Sequence, residues 1–338
     1  MSTTTTLPRT TTAYVAVADR SLQDDDAFVS REARLQPVGP HDLLVRVEAV
    51  SVNPVDTKIR QGLRSGVRQL GWDASGVVVG AGGSTTRFSP GDQVWYAGSI
   101  DRPGTNAELH LVDERLVGRK PRSIDHAAAA ALPLTGITAW ETLFERMALT
   151  RSRSGTLLVV GGPGGVGSIL IQLAKARTAL TVIATAGRQT SADWVRSLGA
   201  DHVVDHRDLV RGVRGVAADG VDLVFSAHSS QNVRAFAEIT RPFGHIVAID
   251  DPRGLDLYPL KGKSIAWHWE LMFTRSSLQT ADMVEQGRML DALADLVDTG
   301  QVRSTVATTL TGLGPATLRE AHRLVDSGGT IGKVVVTR

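Results

Sequence analysis

The sequence predicts an α/β protein of two domains: a mainly antiparallel, partly barrel-like β domain and a doubly wound parallel sheet. Three observations carry this prediction. From Ala13 to about Leu116 the chain consists of short alternating runs punctuated by glycine and proline. From Thr156 to Asp250, strand-like and helix-like runs alternate with short connections, the pattern of a parallel sheet covered on both faces. At the start of the second stretch, Thr156 to Val160 runs into Gly161-Gly-Pro-Gly-Gly-Val-Gly167 and then an apolar helical run, which reads as strand, glycine turn and helix.

The elements follow in order. Segments 42–50, 76–80, 93–96 and 108–112 read as strands, and Ser89-Pro-Gly-Asp92 as a turn whose dihedrals Pro and Gly set. Asp125 or Ser123 caps an alanine-rich helix reaching Leu132, and a second helix runs from about Thr135 toward Met147. Strands are then expected at 156–160, 180–184, 202–205, 221–226 and 244–250. Helices are expected at 165–177, 190–198, 208–217 and 230–240. Lys263 to His268 adds one more strand, 281–299 is helical, and strand, helix and strand segments lead to the C-terminus. The last sixty or so residues are expected to pack back onto the N-terminal domain.

Composition narrows the function. The 338 residues, 42% hydrophobic and 21% charged, suffice for two cores. A net charge of +2 without a long Lys/Arg run predicts neither a nucleic-acid nor a membrane partner. Cysteine is absent, which removes disulfides, thiolate nucleophiles and cysteine-containing zinc sites, and makes a reducing cytoplasm the expected compartment. The first dozen residues, rich in Ser and Thr without an apolar core, read as a disordered tail rather than a signal peptide. No stretch is long and apolar enough to span a bilayer.

The glycine turn is where the chemistry begins. Gly162, Gly164 and Gly167 fit G-x-G-x-x-G: the first permits the tight turn, the second lets backbone approach a pyrophosphate, and the third lets helix and strand pack closely. The first-turn N–H groups at Gly165, Val166 and Gly167 then face the anion. With 34 glycines in the chain the spacing alone is weak, and the strand, turn and helix around it supply the specificity. In folds specific for NAD, an acid about 20 residues past the glycines binds the ribose hydroxyls. Here Leu180 to Ala184 ends in Thr185-Ala-Gly-Arg188 with no acid, so Arg188 and Thr185 are expected to hold a 2′-phosphate, which predicts NADPH.

Several longer strings resemble a known family. Val50-Ser-Val-Asn-Pro-Val-Asp56, Gly71-Trp-Asp-Ala-Ser-Gly76, Pro90-Gly-Asp92, Leu132-Pro-Leu-Thr-Gly-Ile-Thr-Ala-Trp140, Ser197-Leu-Gly-Ala-Asp201 and Gly332-Lys-Val-Val-Val336 resemble medium-chain dehydrogenases/reductases of the quinone oxidoreductase branch. Segments 97–106 and 268–275 resemble a bacterial subgroup often labelled zinc-type alcohol dehydrogenase. The resemblance covers nearly the whole chain. It implies a GroES-like substrate domain (1–131 with 273–338), a Rossmann domain (132–272), and an active site in the cleft. It also implies a homodimer, for which the edge strand near Ile265 offers the pairing surface.

The zinc ligands of that family are not matched. The Cys position falls within Asn53 to Asp56, Trp72-Asp73 stands for His-Glu, and the cysteine lobe is missing, so no metal is expected. Reduction of a quinone or enone needs hydrogen-bond donors at the developing enolate rather than a Lewis acid. The resemblance therefore implies an NADPH-dependent, zinc-free reductase of quinones or other α,β-unsaturated carbonyls. Two alternatives stay open, an alcohol dehydrogenase and a dinucleotide-binding structural or sensor protein.

Family position makes Asn53, Lys58 and Tyr96 the candidate catalytic donors, although quinone reductases commonly carry Tyr where Lys58 stands. Each also has a plainer reading: Asn53 as cap of a turn before Pro54, Lys58 as a surface charge, and Tyr96 as a core aromatic. Thr138, at the start of a helix, is expected at the nicotinamide ribose or amide, Ser226 and Asp250 at the nicotinamide half, and Lys333 near the cleft. Asp73 reads as a residue that holds its loop or pairs with a base.

Overall fold

The computed structural model describes residues 7–338, which fall into two units. One comprises the chain through Leu134 together with Phe273–Arg338; the other is Thr135–Met272.

The first unit is built on two sheets. In the smaller, Thr10–Val17 lies between Phe28–Arg34 and Val67–Gln69, antiparallel to both. Thr10, Thr11 and Thr12 therefore belong to a strand, not to the tail the sequence suggested, and residues 1–6 of that tail lie outside the described residues. The larger sheet runs Val306–Thr311, Lys333–Thr337, Asp42–Val52, Ala74–Ala81, Gln93–Tyr96, Val117–Arg119, with Leu109–Asp113 also pairing to Asp42–Val52. Its pairings are antiparallel except Val306–Thr311 with Lys333–Thr337.

Strand Asp42–Val52 is the spine of this unit, since three strands pair with it and most of its residues are buried on both faces. Helix His126–Ala130 covers part of it. Its alanines carry no bulk beyond Cβ, so the helix settles closely on Ala49 and Val335, and the Asp125 carboxylate caps it by accepting from Ala128 N at 2.8 Å. Helix Pro54–Gly62 was read only as a turn, because its polar composition gives no apolar stripe. Pro54 at its first position and the Asp56 carboxylate on Asn53 N at 2.8 Å start it.

The second unit holds one sheet of six strands, all parallel: His202–Val204, Ala179–Thr185, Ser154–Val160, Val221–Ser226, Thr240–Ala248, Ala266–Trp269. The earliest strand in sequence, Ser154–Val160, lies inside the sheet, and successive strands add first on one side of it and then on the other. The order reverses beside it, which opens a crevice at its carboxyl end. Helices Gly165–Arg177, Gln189–Ser197, Leu209–Val216 and Val233–Ile239 alternate with these strands as expected. The helix expected to reach Met147 is α-helical over Pro133–Trp140 and then widens to π over Glu141–Arg146. Ala266–Trp269 is the sheet edge, with Trp269 exposed. Among the described residues no helix is long and apolar enough to cross a membrane.

His322 is an energetic liability in the first unit. Its side chain is fully buried against Phe28, and among the described residues neither ring nitrogen has a hydrogen-bond partner. Burial, with the Arg60 charge adding, pushes its pKa down to about 3. The folded-state pKa lies below the unfolded value of about 6.5, so stability is full above pH 6.5 and is lost as pH falls toward 3. Relative to pH 8, the loss from this residue at pH 5 is about 2 kcal/mol. His322→Leu should flatten the acid limb of a chemical-denaturation stability profile by that amount and should not destabilise at pH 8. An unchanged acid limb would show that His322 is not what titrates there.

Candidate functional site

In the parallel-sheet unit the glycine turn sits at the carboxyl end of Ser154–Val160, at the reversal of strand order. The glycines divide the work differently from expectation. The positive φ of +89° that closes the turn belongs to Gly161, whereas Gly162 is constrained by space: a Cβ there would stand 3.0 Å from Ala184 Cβ. Gly167 behaves as predicted, since a Cβ would approach the Gly161 carbonyl oxygen to 2.4 Å and that of Gly162 to 2.7 Å. At Gly164 the nearest atom to an added Cβ is the Gly161 oxygen at 3.3 Å, so its outer side is open. The first intrahelical bond is Ser168 N to Gly164 O at 2.9 Å, which leaves the N–H groups of Gly165, Val166 and Gly167 ahead of it to meet an anion. These residues fit a dinucleotide pyrophosphate.

Thr185 is buried, and its hydroxyl accepts from Gly161 N at 3.0 Å. It anchors the turn from the neighbouring strand. Arg188 is exposed just ahead of helix Gln189–Ser197. Beside it lies a residue the sequence did not signal: a Cβ on Gly187 would stand 2.5 Å from His206 Cε1, so the exposed imidazole of His206 occupies the space that this glycine leaves.

On the other side of the reversal, Ser226 and Asp250 are brought together through a third residue. Ser229 N donates to Asp250 Oδ2 and Ser229 Oγ to Asp250 Oδ1, both at 2.6 Å, and Ser226 Oγ lies 3.0 Å from Ser229 Oγ. Thr138 is buried in the middle of helix Pro133–Trp140, not at its start as expected.

In the other unit, Asn53 and Lys333 meet on the carboxylate of Asp73, which is completely buried. Asp73 Oδ2 accepts from Ser51 Oγ at 2.9 Å, Asn53 Nδ2 at 2.8 Å and Lys333 Nζ at 3.2 Å, while Oδ1 accepts from Leu134 N at 2.8 Å. Lys333 Nζ also donates to Val52 O at 3.1 Å and to Asn53 Oδ1. Its three N–H bonds are thus all spent inside this unit, which revises its expected role at the cofactor. Burial pushes the Asp73 carboxyl up, and the Lys333 charge with the bonds from Asn53, Leu134 and Ser51 pull against it. Asp56, also fully buried, bonds Asn53 N and Gly71 N, and burial pushes it up to about 7. It thereby ties the helix that carries Lys58 to the segment that carries Asp73.

Tyr96 is fully buried with its ring stacked on His110. His110 Nε2 faces Pro103 O at 2.9 Å, and burial lowers the histidine pKa to about 4, so the ring is neutral with its proton on Nε2. His110 Nδ1 therefore accepts from the Tyr96 hydroxyl at 3.1 Å. That phenol proton is committed within the core, which turns Tyr96 from a candidate donor into a packing residue. Lys58 is exposed on helix Pro54–Gly62.

The Asp73–Lys333 pair yields a double-mutant test. Asp73→Asn or Lys333→Met should each cost about 3–5 kcal/mol, because each leaves a buried charge unpaired. The double variant should fall short of the summed losses by at least about 2 kcal/mol in denaturant unfolding. Additive losses would show that the two charges are independent.

Known proteins place this architecture. The Alcohol dehydrogenase GroES-like domain family matches residues 39–122, and the Zinc-binding dehydrogenase family matches residues 198–336. Zinc-type alcohol dehydrogenase-like protein SAV2186 of Staphylococcus aureus is 40% identical over 325 residues, covering 93% of this chain and 96% of its own. A crystal structure from Rhizobium etli CFN 42, named for zinc-dependent alcohol dehydrogenases, matches with TM-score 0.93 and 45% identity over 98% of this chain and 99% of its own. Escherichia coli quinone oxidoreductase complexed with NADPH shares the fold at TM-score 0.83 and 22% identity, over 97% of this chain and all of its own. The zinc in these names does not fit the residues present. There is no cysteine, Asn53 and Asp73 are consumed by Lys333, both His110 nitrogens are taken, and among the described residues no three His, Asp or Glu side chains converge. The chain belongs to the zinc-type alcohol dehydrogenase-like proteins of the medium-chain dehydrogenase/reductase superfamily, an oxidoreductase family.

Proposed function

We propose that this protein is an NADPH-dependent reductase of quinones or other α,β-unsaturated carbonyls that works without zinc. The observation that carries the reading is the closed Asp73–Lys333–Asn53 network, which occupies the positions where a catalytic metal would need ligands. The reaction that suits such a site is one whose developing charge needs hydrogen bonds and not a Lewis acid.

When bound, the dihydronicotinamide supplies hydride to the electrophilic carbon. The chain's own residues bind and orient it: the N–H groups of Gly165 to Gly167 take the pyrophosphate, and Thr185 holds the turn that aims them. Arg188 offers its planar fork of donors to a 2′-phosphate, with the His206 ring beside it, and no acid follows the strand to repel that phosphate. The Tyr96 hydroxyl donates to His110 and the Asn53 amide is held by Asp73 and Lys333, and in this reading Lys58, exposed on helix Pro54–Gly62, serves as proton donor. Asp56 positions the helix under it. The reading includes a homodimer paired along Ala266–Trp269, supported by the open sheet edge and exposed Trp269.

Steady NADPH oxidation against a panel of quinones and cyclic enones tests this directly. Turnover is expected, unchanged by exhaustive chelation, and Lys58→Met should lower kcat at least about tenfold with little effect on NADPH affinity. Oxidation of simple alcohols with loss of activity on chelation would instead identify an alcohol dehydrogenase, and cofactor binding without turnover a structural or sensor protein.

Cofactor choice is a separate test. A charge-assisted bond from Arg188 implies a preference for NADPH over NADH of roughly 10- to 150-fold. Arg188→Ala should weaken NADPH and leave NADH nearly unchanged in fluorescence titrations. Unchanged NADPH affinity in that variant would remove Arg188 from the site.

A further inference from the structure

The Ser226–Ser229 loop is built around a charge. Ser226 Oγ accepts from His228 N at 3.2 Å, and Ser229 has one hydroxyl proton to share between Ser226 and Asp250. The 2.6 Å bond to Asp250 claims it, so the Ser226 hydroxyl in turn donates to Ser229 Oγ. Both serine hydroxyls therefore point toward the Asp250 carboxylate. Ser226 and Ser229 are both fully buried, and the Ser229 N–H adds a second bond at 2.6 Å, so the carboxylate is held at both oxygens while the residue itself stays partly exposed.

The loop also has a definite place on the sheet. Ser226 is paired with Val160 at the end of the strand that enters the glycine turn, Ala227 N donates to Val160 O at 3.2 Å, and the His228 ring lies 3.5 Å from the position of a Cβ on Gly161. Thr185 and Arg188 lie on the opposite side of the strand-order reversal. A dinucleotide lying across that crevice with its adenosine end toward Arg188 extends its nicotinamide end over Ser226 and Asp250.

We propose that Asp250, held by Ser229, is a residue that discriminates the oxidation state of the cofactor, binding the oxidised nicotinamide more tightly than the reduced one. The inference rests on the reading of the glycine turn as a dinucleotide site. Loss of hydride from a dihydronicotinamide leaves a pyridinium ring with one positive charge. A fixed carboxylate near that ring attracts the product cation and has no such attraction for the neutral reduced ring. The bound cofactor is thereby made a stronger hydride donor, which suits a reductase. A hydrogen-bond role alone would not need the charge, since an Asn side-chain oxygen at 250 could accept one of the two Ser229 bonds. Ser229 is the positioning residue. The other charged or titratable side chains close by in sequence are His228, Asp251 and Arg253, and exchanging Asp250 alone leaves them in place.

The test measures dissociation constants of NADP+ and NADPH for the full chain by calorimetry and cofactor fluorescence at pH 7.5. Asp250→Asn should weaken NADP+ by roughly threefold to tenfold and change NADPH by less than twofold. Ser229→Ala, which keeps the charge but loosens it, should shift the same ratio in the same direction by a smaller factor, and it carries the test if Asp250→Asn fails to fold. Equal changes for both cofactors, or no change in the ratio with either variant, would overturn the proposal by showing a structural role only. Failure of the wild type to bind either dinucleotide would overturn the cofactor reading itself and the proposal with it. Tight binding of both forms with an unmoved ratio would overturn only the proposal.

Discussion

A single buried carboxylate, that of Asp73, ties together four segments of the β domain. It joins the spine strand through Ser51, the start of helix Pro54–Gly62 through Asn53, the start of helix Pro133–Trp140 through the Leu134 amide, and the C-terminal strand through Lys333. Partners as far as 260 residues from Asp73 in sequence thus converge on its two oxygens. Burying that charge is costly, and it is tolerated because four donors surround it and the ammonium of Lys333 finds two further acceptors. Removing either charge exposes the other to an apolar interior, which is why the pair acts as a unit.

The same closure shapes the chemistry. A metal would have to compete with Lys333 for Asp73 and Asn53, and His110 has no nitrogen to offer. The zinc name carried by the relatives therefore describes a lineage better than it describes these residues. What the β domain retains is rigidity: Asp56 ties the Lys58 helix to the Gly71-Trp72-Asp73 segment through two backbone bonds. The second unit supplies the complementary element, a glycine turn whose shape is set by Gly161, Gly167 and Thr185.

Much of this was legible in the sequence because it is local. The alternation of strands and helices from Ser154 to Ala248 reads directly from apolar runs and short connections, and the Asp125 cap from its position before the alanines. The glycine turn was legible for the same reason, although the sequence could not tell which glycine carries the positive φ. Less legible were features that depend on distant partners. Lys333 was expected near the cleft, and its burial follows from the antiparallel pairing of its strand with Asp42–Val52. Tyr96 looked like a donor until His110, fourteen residues away, claimed its proton. Ser229 and His206 have no periodic or motif signal, and each matters only through what the fold lays beside it. Helix Pro54–Gly62 escaped because its stability comes from a capping carboxylate and not from an apolar stripe.

The central claim is that hydride goes to the β-carbon of a conjugated carbonyl, with no metal polarising the carbonyl oxygen. The most direct measurement is the position of the label after reduction of a cyclic enone by NADPH carrying deuterium at the transferred C4 position. The account predicts a saturated ketone with deuterium at the β-carbon, found by mass spectrometry and NMR. Deuterium on the carbinol carbon of an allylic alcohol would contradict it.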